Sequence, residues 1–256
     1  MNQAEFKEVA WLLMLIPFGI VSGTGFFFIF YAWRRARQRG TRDAEGAIRS
    51  LPAAGSISSG SPVFEQPGRW LVVKARDPAT VQAALQLHQP TPCSWDEGLI
   101  EAREDKLFIS PSISGWVLVM GSGLPGPFED VDDCFRFLTG LSRKLGQVQF
   151  FSASRVVNQH AWVLMERGRV YRAYAWAGET LWNQGPLTAA EKELDLRCFD
   201  YGSEQNFFSV KDELAANSEK VGQLAARWSL DPASVCHGSW KNGRGIVGGL
   251  SQSKPH

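Results

Sequence analysis

The sequence predicts an α+β fold: a mostly antiparallel sheet with helices packed on one face, set behind one N-terminal transmembrane helix. Three observations carry this prediction. Residues 69–235 read in the order β, α, several β, α, several β, α. Successive strands within each run are joined by short turns, which pair antiparallel. Residues 9–33 carry no charged side chain.

The uncharged run comes first. From Val9 to Trp33 there are 25 residues without a charge. At a rise of about 1.5 Å per residue they make roughly 37 Å of helix, against a hydrocarbon core of about 30 Å. Trp11 near the start, and Tyr31 and Trp33 at the end, suit the headgroup region. A cleaved secretory signal is the competing reading. It needs a basic start, whereas Met1 to Glu8 sums to −1, and arginines follow the run where a small-residue cleavage site would stand.

Arg34, Arg35, Arg37, Arg39 and Arg42 crowd the C-terminal flank, with Lys7 alone on the other side. The positive-inside rule then puts the bulk of the chain in the cytoplasm and the N-terminus outside. The expected location is the inner (cytoplasmic) membrane, crossed once. Gly19 and Gly23 form a GxxxG pair, which can dimerise membrane helices or merely loosen one.

Residues 34–65 read as a tether, basic at first and then rich in Gly, Ser and Pro. Six arginines against Asp43, Glu45 and Glu65 give it +3, and with −1 before it and +1 for the whole chain, residues 66–256 are left at −1. That balance has no electrostatic footprint for nucleic acid. Residues 66–250 are expected to form the cytoplasmic domain, and 251–256 a loose tail. The Gly- and Ser-rich stretch from Gly238 reads as loose as well.

Within the domain, "RWLVVKA" (69–75) reads as a strand. Asp77-Pro78 starts a short helix through Leu87. Short strands follow at Leu99–Ala102, Lys106–Ile109 and Trp116–Met120. Phe128 to Leu145 keeps Phe128, Val131, Phe135, Leu138, Leu141 and Leu145 on one helical face. "QVQFFSA" is a strand. "HAWVLM" and "VYRAYAW" form a hairpin about Glu166-Arg167-Gly168. Thr188 and Glu191 make a capping box. Val210 to Trp228 reads as helix, and Asp231-Pro232 starts another.

Several motifs suggest chemistry. Gly121-x-Gly123-x-x-Gly126 follows a strand and precedes a helix, as a dinucleotide fingerprint does, and Ser154 and Arg155 could suit a 2′-phosphate. Pro125 and Pro127 remove donors from that loop, and Glu129, Asp130, Asp132 and Asp133 would repel an anion. A turn and a self-capped acidic helix is the better account, and no cofactor is expected. Cys93, Cys134, Cys198 and Cys236 form no CxxC pair, and Cys236-His237 lacks further ligands at zinc spacing, so no metal is expected. Reduced thiols fit the expected compartment. His160, on the strand face of Trp162, could be a general base or a packing residue.

"RAYAWAGETLWNQG" (172–185) is the most distinctive stretch. Alternation puts Arg172, Tyr174 and Trp176 on one strand face and Ala173 and Ala175 on the other. Arg172, Tyr174, Trp176, Glu179 and Trp182 have the composition of a protein-binding hot spot. A second small core is the other reading, and both stay open at this point.

Together with "GWVLVMG" (115–121), this stretch resembles uncharacterised bacterial membrane-anchored α+β proteins of the immunity type. The resemblance spreads over residues 69–235 and carries no functional residue with it. It implies a non-catalytic domain that binds a protein, such as a toxin. A structural subunit of a membrane complex is an alternative. A membrane-anchored enzyme is another, with His160, Glu179, Asp200 and Tyr201 as its candidate groups.

Overall fold

The structure, a computed structural model, describes residues 68–103, 106–203, 207–236 and 243–250. The expected span at 9–33, its GxxxG pair, the tether and residues 251–256 lie outside them. The chain divides at Gly60/Ser61, and all described residues belong to the second unit.

Strand β1 (Arg69–Lys74) is the centre of the sheet. Its Trp70 and Val72 point one way and Leu71 and Val73 the other, and all four are fully buried. Such a strand is covered on both faces, so it reads as an unbroken apolar run. Helix α1 (Pro78–Leu85) follows, capped by the Asp77 carboxylate on Ala79 N. Then come β2 (Leu87–Cys93), α2 (Trp95–Glu101), β3 (Lys106–Ile109) and β4 (Trp116–Met120). The amphipathic α3 (Val131–Leu145) leads into β5 (Gln147–Ser154), β6 (Gln159–Glu166), β7 (Arg169–Trp176) and β8 (Thr180–Gln184). Short α4 (Ala189–Glu193), long α5 (Phe207–Trp228), α6 (Pro232–Cys236) and β9 (Gly245–Leu250) complete the domain.

The nine strands lie in the order β2-β9-β3-β4-β1-β5-β6-β7-β8. Every neighbouring pair is antiparallel. The expected α+β class with an antiparallel sheet is therefore what forms. β4 and β5 flank β1 and run parallel to one another, with α3 as the crossover between them.

The expectation of helices on one face is corrected: both faces are covered. On one, Trp70, Val72, Phe151, Trp162 and Tyr174 pack against Trp95 of α2 and Val221 and Leu224 of α5. On the other, Leu71, Val73, Phe150, Ala173 and Ala175 pack against Val81 of α1 and Leu138 and Leu141 of α3. The two alanines are the small residues that let α3 approach β7 closely.

Two further expectations are corrected. Leu99–Ala102 is not a strand; it belongs to α2 and the residue after it. Ser94 caps α2 from its side chain to Glu97 N, while the Glu97 carboxylate accepts from Ser94 N. The region from Gly238 is not loose throughout, because β9 lies inside the sheet between β2 and β3. Its Gly245 serves close packing. A Cβ on Gly245 would fall 2.2 Å from the Phe108 ring, and one on Gly98 of α2 would fall 2.1 Å from the same ring. The sequence pattern also missed β2, whose Pro90 and Pro92 fit an edge strand.

Candidate functional site

Among the described residues, a group of buried polar and charged side chains lies over β6 and β7. Register places His160 opposite Trp176, Trp162 opposite Tyr174, and Leu164 opposite Arg172. Alternation aims His160, Trp162, Arg172 and Tyr174 at the face that α4 and α5 cover. His160 stacks on Trp162 at 5.6 Å between ring centroids, and Trp162 leans on Tyr174 at 5.0 Å.

Glu191 of α4 is fully buried against this group. Its Oε1 accepts hydrogen bonds from Arg172 Nε and from Trp162 Nε1, each at 2.7 Å. Its Oε2 accepts from the backbone N–H of Thr188 at 2.7 Å and from the Thr188 hydroxyl at 2.8 Å. The capping box expected at Thr188 and Glu191 is formed, and the same carboxylate also serves as counter-ion to a buried arginine. Arg172 Nη1 donates to Asn183 Oδ1 at 2.7 Å and to the Gly185 carbonyl at 3.1 Å. Burying two charges is tolerable only with this degree of pairing.

The neighbouring groups are held in the same way. The Tyr174 hydroxyl accepts from Phe199 N. Asn217 of α5 accepts from Arg197 N through Oδ1 and donates through Nδ2 to the Arg197 carbonyl. That fixes its amide, so Nδ2 also donates to His160 Nε2 at 3.3 Å. His160 Nδ1 then carries the proton and faces the Ser218 hydroxyl at 3.4 Å. Burial pushes the His160 pKa down to about 3. Burial likewise pushes the Tyr174 phenol and the Cys198 thiol up to about 12. At neutral pH the imidazole is neutral and the thiol and phenol keep their protons. The hydrogen bonds of this arrangement clamp α4 and α5 to the sheet.

The residues singled out from sequence are distributed as follows. Arg172, Tyr174, Trp176 and Trp182 are all at most 5% exposed. Trp182 faces the opposite side of the sheet, edge-on to Phe135 of α3 at 6.0 Å. Glu179 is exposed on the β7–β8 turn. Of the candidate catalytic groups, His160 sits under α5, while Asp200 and Tyr201 lie along the outer edge of β8. There the Tyr201 hydroxyl accepts from Asn183 N at 2.7 Å. Glu191, Cys198, Asn217 and Ser218 were not anticipated as members of one cluster. The capping box marked Glu191, but nothing in its spacing pointed to Arg172.

The loop at 121–126 is tied from within. Arg69 of β1 donates to the Leu124 carbonyl and to Glu129, and a Cβ on Gly126 would fall 2.7 Å from Arg69 Cζ. The first N–H groups of α3 donate to Asp130. The anticipated turn and self-capped acidic helix form here, with the Arg69 guanidinium packed against Gly126. Cys93, Cys134 and Cys198 are free thiols.

No family model, curated protein or solved structure matches the chain. The functional reading therefore stands on the chain's own residues.

Proposed function

We propose that the chain is a membrane-tethered, non-catalytic protein-binding domain facing the cytoplasm. The observation that carries this reading is the uncharged run from Val9 to Trp33 with five arginines directly after it. Among the described residues no helix is long and apolar enough to cross a membrane; the proposal places the span at 9–33 on its lack of charge. A bacterial inner membrane is the setting, a toxin is the partner class the resemblance implies, and Gly19 and Gly23 offer a route to a homodimer.

The non-catalytic part is supported by the buried cluster, whose reactive groups are engaged with one another. Arg172, Tyr174, Trp176 and Trp182 are buried, so a partner does not touch them directly and they hold the strands that carry the exposed turns. The surface offered to a partner is the sheet end where the β5–β6 and β7–β8 turns meet. His160 pairs with Trp176, which sets both turns at that end. Val156 is 73% exposed there, Val157 is partly exposed, and Glu179 stands on the adjacent turn.

The test is purification of the tagged full-length chain from its native membrane in mild detergent, with mass spectrometry. A stoichiometric protein retained by the wild type and lost from Val156→Asp/Glu179→Arg supports the proposal. That loss corresponds to at least about 2 kcal/mol, the hot-spot scale. A chain that purifies alone contradicts it and favours an anchored enzyme. A partner lost only on Gly19→Leu/Gly23→Leu indicates a structural subunit held through its helix.

A further inference from the structure

One end of the sheet concentrates positive charge. Register brings together the C-terminal end of β1, the N-terminal end of β5 and the β6–β7 turn. Val73 lies opposite Val148, Gln147 opposite Glu166, and Glu166 opposite Arg169. Lys74 ends β1 and Arg76 follows it; Arg167 and Arg169 flank the turn. Arg143 and Lys144 end α3, immediately before β5.

The packing ties these elements into one surface. Arg167 N donates to the Gly146 carbonyl, and Gly168 N donates to Ser142 Oγ. The stem of Arg143 lies over Gly168, where an added Cβ would be 2.7 Å from its Cγ. Lys74 Nζ sits 5.8 Å from the Trp116 ring, and Lys144 Nζ donates to the Ala84 carbonyl. All six basic residues are exposed. None is in an ion pair with a carboxylate among the described residues. Asp77 and Glu166 are the acidic residues nearest in sequence, and Asp77 is engaged in capping α1. Residues 66–256 sum to −1, so this end is a local concentration of charge within a nearly neutral domain.

We propose that this end of the sheet docks on an anionic lipid surface, the headgroups of the membrane that holds the chain. The inference rests on the tether reading above. Charge complementarity selects the occupant: each basic residue near an anionic leaflet multiplies attraction about fivefold. The tether, residues 34–65, spans at most about 110 Å when extended, so attachment leaves either end of the sheet free to face the bilayer. Docking of the basic end turns the opposite end, with Val156 and Glu179, toward the cytoplasm and toward a protein partner.

Phenylglyoxal labelling of arginines, read by mass spectrometry, tests this on the full-length chain in lipid nanodiscs. Phosphatidylcholine discs are compared with discs containing phosphatidylglycerol. Labelling of Arg76, Arg143, Arg167 and Arg169 is expected to slow at least about threefold in the anionic discs, with Arg155 at the opposite sheet end unchanged. About 1 M salt, which cuts the Debye length to about 3 Å, should restore the rates. In Arg143→Glu/Arg167→Glu the protection of Arg76 and Arg169 should vanish. Equal rates in both discs overturn the proposal, as does protection by a short RNA but not by anionic lipid. A chain that fails to enter discs overturns the tether reading instead. Sedimentation with phosphatidylglycerol vesicles then decides the docking: binding weakened at least about tenfold in the double variant supports it, and no binding overturns it.

Discussion

Glu191→Ala is the substitution that should most expose how the cluster works. It removes the acceptor for Arg172 Nε and Trp162 Nε1 and the reciprocal half of the Thr188 cap. Arg172, 1% exposed, is then left charged in the core, since a guanidinium does not give up its proton in this range. Removing one partner of a buried pair costs about 3–5 kcal/mol, largely from the stranded charge. For a domain of this size that lowers Tm by roughly 6–20 °C. The double variant Arg172→Met/Glu191→Leu strands no charge and should cost far less than its two single changes together. The assay is urea and thermal unfolding of the full chain in mild detergent, followed by tryptophan fluorescence, to which Trp162 contributes among ten tryptophans. A loss under about 1 kcal/mol for Glu191→Ala, or strictly additive effects in the cycle, would refute the reasoning.

Other expectations follow from the same packing. His160 binds its proton less readily in the fold than in the unfolded chain, since burial lowers its pKa from 6.5 to about 3. Between those values the unfolded chain holds more protons, so stability is full above pH 6.5 and falls with pH, by at most about 1.4 kcal/mol per unit. His160→Gln should flatten that slope in pH-dependent unfolding. Burial raises Asp231, which acts in the opposite direction but is common to both proteins and cancels in the comparison. Gly245→Val should lower Tm sharply or prevent folding, because the side chain would enter the Phe108 ring; an unchanged melt would contradict the placement of β9. Trp182→Ala should cost about 3–5 kcal/mol in urea unfolding, whereas Val156→Asp, 73% exposed, should stay within about 0.5 kcal/mol. Cys134, whose thiol burial pushes up to about 12, should resist maleimide in the native state and label on unfolding.

Much of the fold was legible because local chemistry and tertiary context agree. The acidic start and apolar stripe of α3, the hairpin of β6 and β7, and the Thr188–Glu191 capping box each formed where their residues indicated. What escaped was non-local. β9 carries three glycines in six residues, a composition that marks loops. Phe108 and Ile109 crowd Gly245, and Leu87 and His88 crowd Gly248. Ser94 and Glu97 carried the same capping signal as Thr188 and Glu191, yet the apolar Leu99 and Ile100 suggested a strand. Sheets covered on both faces show as unbroken apolar runs such as "WLVV" and "WVLVM", and one-sided packing misread them. Within the cluster, alternation put Arg172, Tyr174 and Trp176 on one face. Arg172 is met by Glu191, and Tyr174 and Trp176 by Phe199, and sequence spacing does not encode those pairings.

The central claim is a domain held at the cytoplasmic membrane face through residues 9–33. Paired fusions at the C-terminus of the full chain test it most directly, one to a fluorescent protein that matures in the cytoplasm and one to an export-dependent phosphatase. The account predicts fluorescence in the membrane fraction that survives an alkaline wash and becomes soluble when residues 9–33 are deleted. Phosphatase activity at that C-terminus, or fluorescence that is soluble with residues 9–33 intact, would contradict it.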